Sequence, residues 1–203
     1  MPTAGSGKTF LTTFLIDHVF QNLQGKVATL TYFFCDFHDP RSLEIRTIIE
    51  SLIKQAASLT NSLPSTLQKE LEGAYLTPQY TPTLITLFGL LESLIQLPDI
   101  AYIVIDGLDE CSENDRYRLL NFFTGLITPQ NQRIKIILSS RPEIDIMKSV
   151  SGFYQISLED VKNRPDIEAY IDDEIHQKWE TGNISLSIMK EIKEALIKGA
   201  EGM

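Results

Sequence analysis

Apolar positions along the chain fall into blocks whose period switches between helical and extended. Phe10, Leu11, Phe14, Leu15 and Val19 recur at helical spacing and predict a helix over Lys8–Asn22, closed by Gly25. Val27–Phe34 is a β-rich run and predicts a buried strand. Leu43, Ile45, Ile48, Ile49, Leu52 and Ile53 line one side of a helix expected over Ser42–Leu59. Two more helical segments follow, Ser65–Tyr75 and Thr83–Leu97, separated by Pro78 and Pro82. Strands are expected at Ile100–Ile105, Ile134–Leu138 and Phe153–Ile156, with a helix over Asp115–Ile127. Beyond Pro165 the pattern is helical, over Asp166–Trp179 and Ser185–Lys198. Strands alternating with helices imply an α/β fold, a parallel sheet flanked by helices. The pattern changes near Val161–Pro165, which divides an α/β core over residues 1–162 from a helical segment over 163–203.

Composition narrows the function classes. The 203 residues suffice for one sizeable core, and 43% hydrophobic with 22% charged residues is the make-up of a globular domain. A formal net charge of −9 argues against a generic nucleic-acid surface. The most apolar stretch, Leu84–Leu97, is too short for a bilayer and is broken by Glu92. No basic start followed by an apolar run marks a secretory signal, so no membrane partner is expected and the cytoplasm is the default location. Cys35 and Cys111 make no disulfide framework and fit a reducing compartment.

The chemistry begins at Gly5-Ser6-Gly7-Lys8-Thr9. Gly5 and Gly7 permit a tight turn that bares several amide hydrogens toward one anion, and the helix that follows adds its positive end. Lys8 can reach the β- and γ-phosphates of a nucleotide, and the Thr9 hydroxyl can ligate Mg²⁺. In the pattern G-x-x-x-x-G-K-[ST] the first glycine would stand where this chain has Pro2, and no residues precede the loop to make the strand from which it usually hangs. A second constellation is Ala101-Tyr102-Ile103-Val104-Ile105-Asp106-Gly107-Leu108-Asp109-Glu110, an apolar strand ending in acid. Ligands gather beyond the carboxyl ends of parallel strands, so Asp106 is the candidate Mg²⁺ carboxylate. Asp109 or Glu110 can orient or deprotonate an attacking water. After the next strand, Pro142 holds Arg141 extended at its tip, where a guanidinium can sense a γ-phosphate.

Other groups read as structural. Asp36, His38 and Asp39 fit a helix cap meeting solvent better than a metal site. His18 and His176 read as surface positions and Trp179 as packing. Cys111 has no basic neighbour in sequence to activate its thiol.

Tyr32-Phe33-Phe34-Cys35-Asp36-Phe37 with Asp39-Pro40-Arg41, the Asp-Gly-Leu-Asp-Glu-Cys run at Asp106–Cys111, and Leu138-Ser139-Ser140-Arg141-Pro142-Glu143 resemble the fungal NACHT domains of the STAND class. These are also classed with nephrocystin-3-like N-terminal domains. Asn163-Arg164-Pro165-Asp166-Ile167 and Gly199-Ala200-Glu201-Gly202-Met203 fit the same pattern. The resemblance implies a P-loop fold with an extra strand between the P-loop strand and the Asp106 strand. It implies a signal-transduction switch that binds ATP, or GTP, with Mg²⁺ and hydrolyses it slowly. Such domains act in fungal self/non-self recognition, between an effector module and C-terminal repeats, and form nucleotide-dependent homo-oligomers. Carried over residue by residue, Gly5, Ser6, Gly7, Lys8 and Thr9 are the phosphate loop and Asp106 the magnesium carboxylate. Asp109 and Glu110 are then the hydrolytic acids and Arg141 the sensor. On this reading the chain is a piece of a larger protein. The alternative is a degenerate relative that serves as an interaction module without turnover.

Overall fold

Three runs of β-branched and aromatic residues pair side by side as the floor of the molecule. They are β1 (Ala28–Phe34), β2 (Ile100–Asp106) and β3 (Ile134–Leu138), all parallel, in the order β1-β2-β3. Phe34 lies opposite Asp106, and Ile105 opposite Leu138. The computed structural model describes residues 7–23, 27–60, 62–76, 81–128 and 131–157. Lys8–Phe153 form one compact unit, and Met1–Gly7 with Tyr154–Met203 cluster as another. The expected closing Gly25, the boundary at Val161–Pro165, the helices over Asp166–Trp179 and Ser185–Lys198, and His176 lie outside the described residues.

Helices cover both faces of the sheet. On one side lie α2 (Ile45–Leu59), α3 (Ser65–Tyr75), α4 (Leu84–Ile95) and α5 (Glu113–Leu126), sharing one apolar cluster with Ala101, Ile103, Ile105 and Ile134. Ile48, Ile49, Leu52, Leu87, Leu91 and Leu94 are fully buried there. Each such side chain contributes about 1.5–3 kcal/mol by leaving water. On the other side α1 (Lys8–Asn22) packs Ile16, Val19 and Leu23 on Leu30, Val104 and Ile137. Strand residues alternate between the two clusters, as period-2 geometry demands.

Local signals set several boundaries. Thr83 caps α4 by accepting from the Thr86 amide, and Ser112 caps α5 by accepting from Asp115. The helix expected from Ser42 begins later, because Pro40–Leu43 form a 3-10 turn capped by Asp39 and α2 starts at Ile45. Proline at the first position favours such a turn and interrupts the ladder of amide donors. A short helix that the periodicity did not predict, α6 (Ile144–Ser149), follows β3.

One expectation needs correction. Phe153–Ile156 forms no strand: Tyr154 is 91% exposed and Ile156 67% exposed, and the segment joins no ladder among the described residues. Its residues carry β propensity, which expresses itself through cross-strand packing, and the described sheet offers the segment none. The helix α1 forms over its expected range, but the apolar residues at its start do not make its buried face. Phe10 is 80% exposed and Phe14 is 59% exposed, while Thr12 and Ile16 are buried.

Candidate functional site

The sheet-facing side of α1, continued by Leu23, runs Thr9, Thr12, Ile16, Val19, Leu23, alternating steps of three and four residues. Its last three members are apolar and rest on the sheet, whereas its first two are hydroxyls. They arrive over the end of β2 at Asp106. Alternation along β2 explains the meeting: Tyr102 and Val104 belong to the α1 face, so Asp106 does too. Thr9 Oγ1 donates to Asp106 Oδ2 at 2.6 Å, and Thr12 Oγ1 donates to Oδ1 at 2.8 Å. The carboxylate is only 4% exposed, so these hydroxyls replace the water it has lost.

Main-chain bonds lock the three strand tips together. Cys35 N–H donates to Asp106 O, Ser139 N–H donates to Ile105 O, and Leu108 N–H donates to Ser139 O. Between them Gly107 turns through the left-handed region at φ +72°, and a Cβ there would stand 2.9 Å from Cys35 O. Only glycine meets both demands without strain. The chain then makes a 3-10 turn over Leu108–Glu110.

That turn places the acids differently from one another. Asp109 Oδ1 accepts from the Arg141 amide at 2.9 Å, and Oδ2 lies 3.5 Å from Arg141 Nε. Asp109 therefore holds the tip of β3 by backbone and side chain at once. Glu110 Oε2 is buried without a hydrogen-bond partner among the described residues, as is Ser139 Oγ. An unpartnered carboxylate oxygen costs folding energy and is the kind of group a site retains for chemistry.

Arg116 braces the turn from α5. Its Nη1 donates to Asp109 O at 2.9 Å and Cys111 O at 3.2 Å, while Nε and Nη2 grip Asp145 of α6 at 2.9 and 3.1 Å. Burial alone would raise the Asp145 carboxyl, but the Arg116 hydrogen bonds and charge outweigh it and hold its pKa below the usual range. Beside the turn, Cys35 Sγ and Cys111 Sγ are 3.6 Å apart, both buried and both free thiols. The hydrogen bond between them drives the Cys35 thiol far above its ordinary range, and burial adds to the effect. The same bond pulls Cys111 down against burial, helped by the Arg116 charge. The basic neighbour that Cys111 lacks in sequence is thus supplied from the next helix.

Lys8 opens α1 directly before Thr9, and Gly7 before it has φ +74°. Gly5 and Ser6, with Pro2, lie outside the described residues, as does Trp179. The structure thus brings Thr9 to Asp106 and Asp109 to Arg141. Asp36, His38 and Asp39 form an exposed loop: Asp36 accepts from the His38 amide and ring, and Asp39 from the Arg41 amide. The hydrogen bonds from the His38 amide and then its ring hold the Asp36 carboxyl below its ordinary pKa. No three His, Cys, Asp or Glu side chains among the described residues form a metal cluster. Likewise, no described helix is long and apolar enough to cross a membrane.

Sequence reasoning missed Thr12, Ser139, Arg116 and Asp145. Thr12 alone carried a usable signal, a second hydroxyl three residues after Thr9 on the same helix face.

A model of the nephrocystin 3 N-terminal family matches residues 3–141. The chain belongs to that family. The nephrocystin 3 N-terminal match begins ahead of the glycine-rich loop and ends at Arg141, so it spans every site residue expected from the sequence, Gly5 through Arg141. No match to a curated protein was found.

Proposed function

We propose that this chain is the nucleotide-binding core of a NACHT-type switch, a STAND-class P-loop NTPase of the kind that serves fungal self/non-self recognition. It would bind a nucleoside triphosphate, ATP ahead of GTP, with Mg²⁺, and hydrolyse it slowly. The observation that carries this reading is the junction of Thr9 with Asp106. A helix start that follows Gly7-Lys8 meets, at 2.6 Å, a buried carboxylate at the carboxyl end of a parallel strand.

The donor set suits magnesium: Thr9 Oγ1 and Asp106 Oδ2 are both hard oxygens, and Mg²⁺ takes few protein ligands, filling its shell with water and phosphate oxygens. When bound, the ion would neutralise charge on the phosphates. The chain's own residues divide the remaining work. Amides of Gly5 through Thr9 and the Lys8 ammonium would grip the phosphates. Thr12 fixes Oδ1 of Asp106 and thereby aims Oδ2 at Thr9. Glu110 would take a proton from the attacking water, since its Oε2 has no competing partner among the described residues. Asp109, engaged twice with Arg141, acts as a positioning group, and Arg141 would meet the charge developing on the γ-phosphate.

Isothermal calorimetry with Mg-ATP and Mg-GTP tests the reading. Lys8→Ala should abolish binding, and unchanged binding would remove Lys8 from the site. Glu110→Gln should keep binding but stop phosphate release. One observation favours a second reading, an interaction module without turnover: Pro2 occupies the position of the loop's first glycine. Phosphate release at background level from both the wild-type chain and Glu110→Gln, with both well folded, would decide for the module.

A further inference from the structure

Two buried thiols that touch across the strand tips have no part in the chemistry proposed above. Cys35 leaves β1 and Cys111 follows the Leu108–Glu110 turn; 76 residues separate them, yet their sulfurs lie 3.6 Å apart. A disulfide bond needs about 2.05 Å between sulfurs, so closing the gap takes roughly 1.5 Å of approach. We propose that Cys35 and Cys111 form a dithiol that peroxide oxidises reversibly to an intramolecular disulfide, coupling redox state to the turn that carries Asp109 and Glu110.

The geometry says which partner must yield. Cys35 is held by the hydrogen bond its backbone N–H donates to Asp106 O, inside the frame of the strand tips. Cys111 hangs between a 3-10 turn and the cap of α5, and its amide reaches Leu108 O at 3.3 Å. The looser element is the turn, so the approach falls on Leu108–Cys111. The Arg116 contact with Cys111 O, at 3.2 Å, is the next to feel it.

The chemistry balances without help from any bound group. One thiol, as its thiolate, attacks a peroxide oxygen; the O–O bond breaks and hydroxide leaves as water with the thiol's proton. The sulfenic acid that remains is attacked at sulfur by the second thiol. The S–O bond breaks, the S–S bond forms, and a second water carries away the second proton. Two thiols lose two electrons in total and one peroxide becomes two waters. Cys35 is 8% exposed and Cys111 is 3% exposed, which excludes bulky oxidants but leaves a reagent the size of hydrogen peroxide. A small-molecule thiol that reaches the bridge, or local opening of the turn, would reverse it.

The test uses the full chain without nucleotide, so its outcome is independent of the function proposed above. Native protein is treated with hydrogen peroxide, quenched, denatured and alkylated, and its intact mass and linked peptides are read by mass spectrometry. The expected result is a monomer lighter by two hydrogens, with no alkylatable thiol, a Cys35–Cys111 linked peptide, and full return of both thiols with dithiothreitol. Hydrogen exchange at Leu108–Arg116 should rise in the oxidised form while β2 stays protected. Cys35→Ser and Cys111→Ser should each stop at a sulfenic acid that dimedone traps. The proposal is overturned if wild-type cysteines stay alkylatable at peroxide levels that oxidise a free cysteine peptide. It is equally overturned if both are trapped singly by dimedone, or if the bridge forms only between chains or only in urea.

Discussion

Thr12→Val deletes one hydroxyl from the buried face of α1 while keeping the shape of the side chain. Thr12 is 3% exposed and Asp106 4% exposed, and their hydrogen bond is 2.8 Å long. A bond to a charged acceptor contributes about 1.5–3 kcal/mol, and an acceptor left buried without a donor sits at the upper part of that range. The expected loss is about 2–3 kcal/mol, roughly 4–12 °C in Tm for a chain of this size. Thr9→Val is the control. Its bond to Asp106 is shorter, 2.6 Å, but Thr9 is exposed, so water can replace the hydroxyl. We expect it to cost no more than about 1 kcal/mol. Thr12→Ser, which keeps the donor, should recover most of the loss. Urea unfolding followed by circular dichroism, with midpoints compared at a shared slope, gives all three values. The reasoning fails if Thr12→Val shifts stability by less than about 0.5 kcal/mol, or if Thr9→Val proves the costlier change.

Gly107→Ala should lose about 1–2 kcal/mol to the left-handed backbone and a further ~1–3 kcal/mol to overlap with Cys35 O; a thermal melt showing under 1 kcal/mol in all would contradict the φ and contact described. Asp145→Asn removes a carboxylate whose folded pKa lies below its unfolded value near 3.8. Its contribution is therefore complete above that value and is lost as pH falls through the lowered folded pKa, so wild type and variant should differ at pH 6 and converge in acid. An undiminished difference at pH 2 would refute the pairing with Arg116. Phe10→Ser and Phe14→Ser should each stay within about 0.5 kcal/mol of wild type, whereas Ile16→Ala should cost about 2–5 kcal/mol in the same unfolding assay. The reverse ranking would put the aromatic face of α1 against the sheet.

How much of this was legible in the sequence depends on the range over which each feature is decided. The three strands and α1 through α5 were readable because periodicity and caps act within one element; α3 and β3 match their expected limits. The acidic end of β2 was equally plain, since an apolar run that stops at Asp106 admits few readings. The orientation of α1 was not, because Phe10, Leu11 and Phe14 outweigh Thr12 on any hydropathy scale. Only the carboxylate across the gap makes the hydroxyl face the buried one. Phe153–Ile156 shows the converse, a composition suited to a strand in a segment outside the described sheet. The roles of Asp109 and Glu110 could not be separated in sequence either, as adjacent acids look alike until Arg141 folds back onto one of them. Contacts such as Cys35 with Cys111, or Arg116 with Asp145, join residues with no shared local pattern and come into view only when the elements pack.

The fastening of the strand tips has a consequence for mutational work on this domain. Those joints are made by peptide groups, which every residue brings, rather than by the side chains that project from them. Exchanging the side chains of Glu110 or Ser139, which have no part in those joints, thus leaves the scaffold's seams sewn. A substitution series at these two positions should report on reactivity at nearly constant architecture.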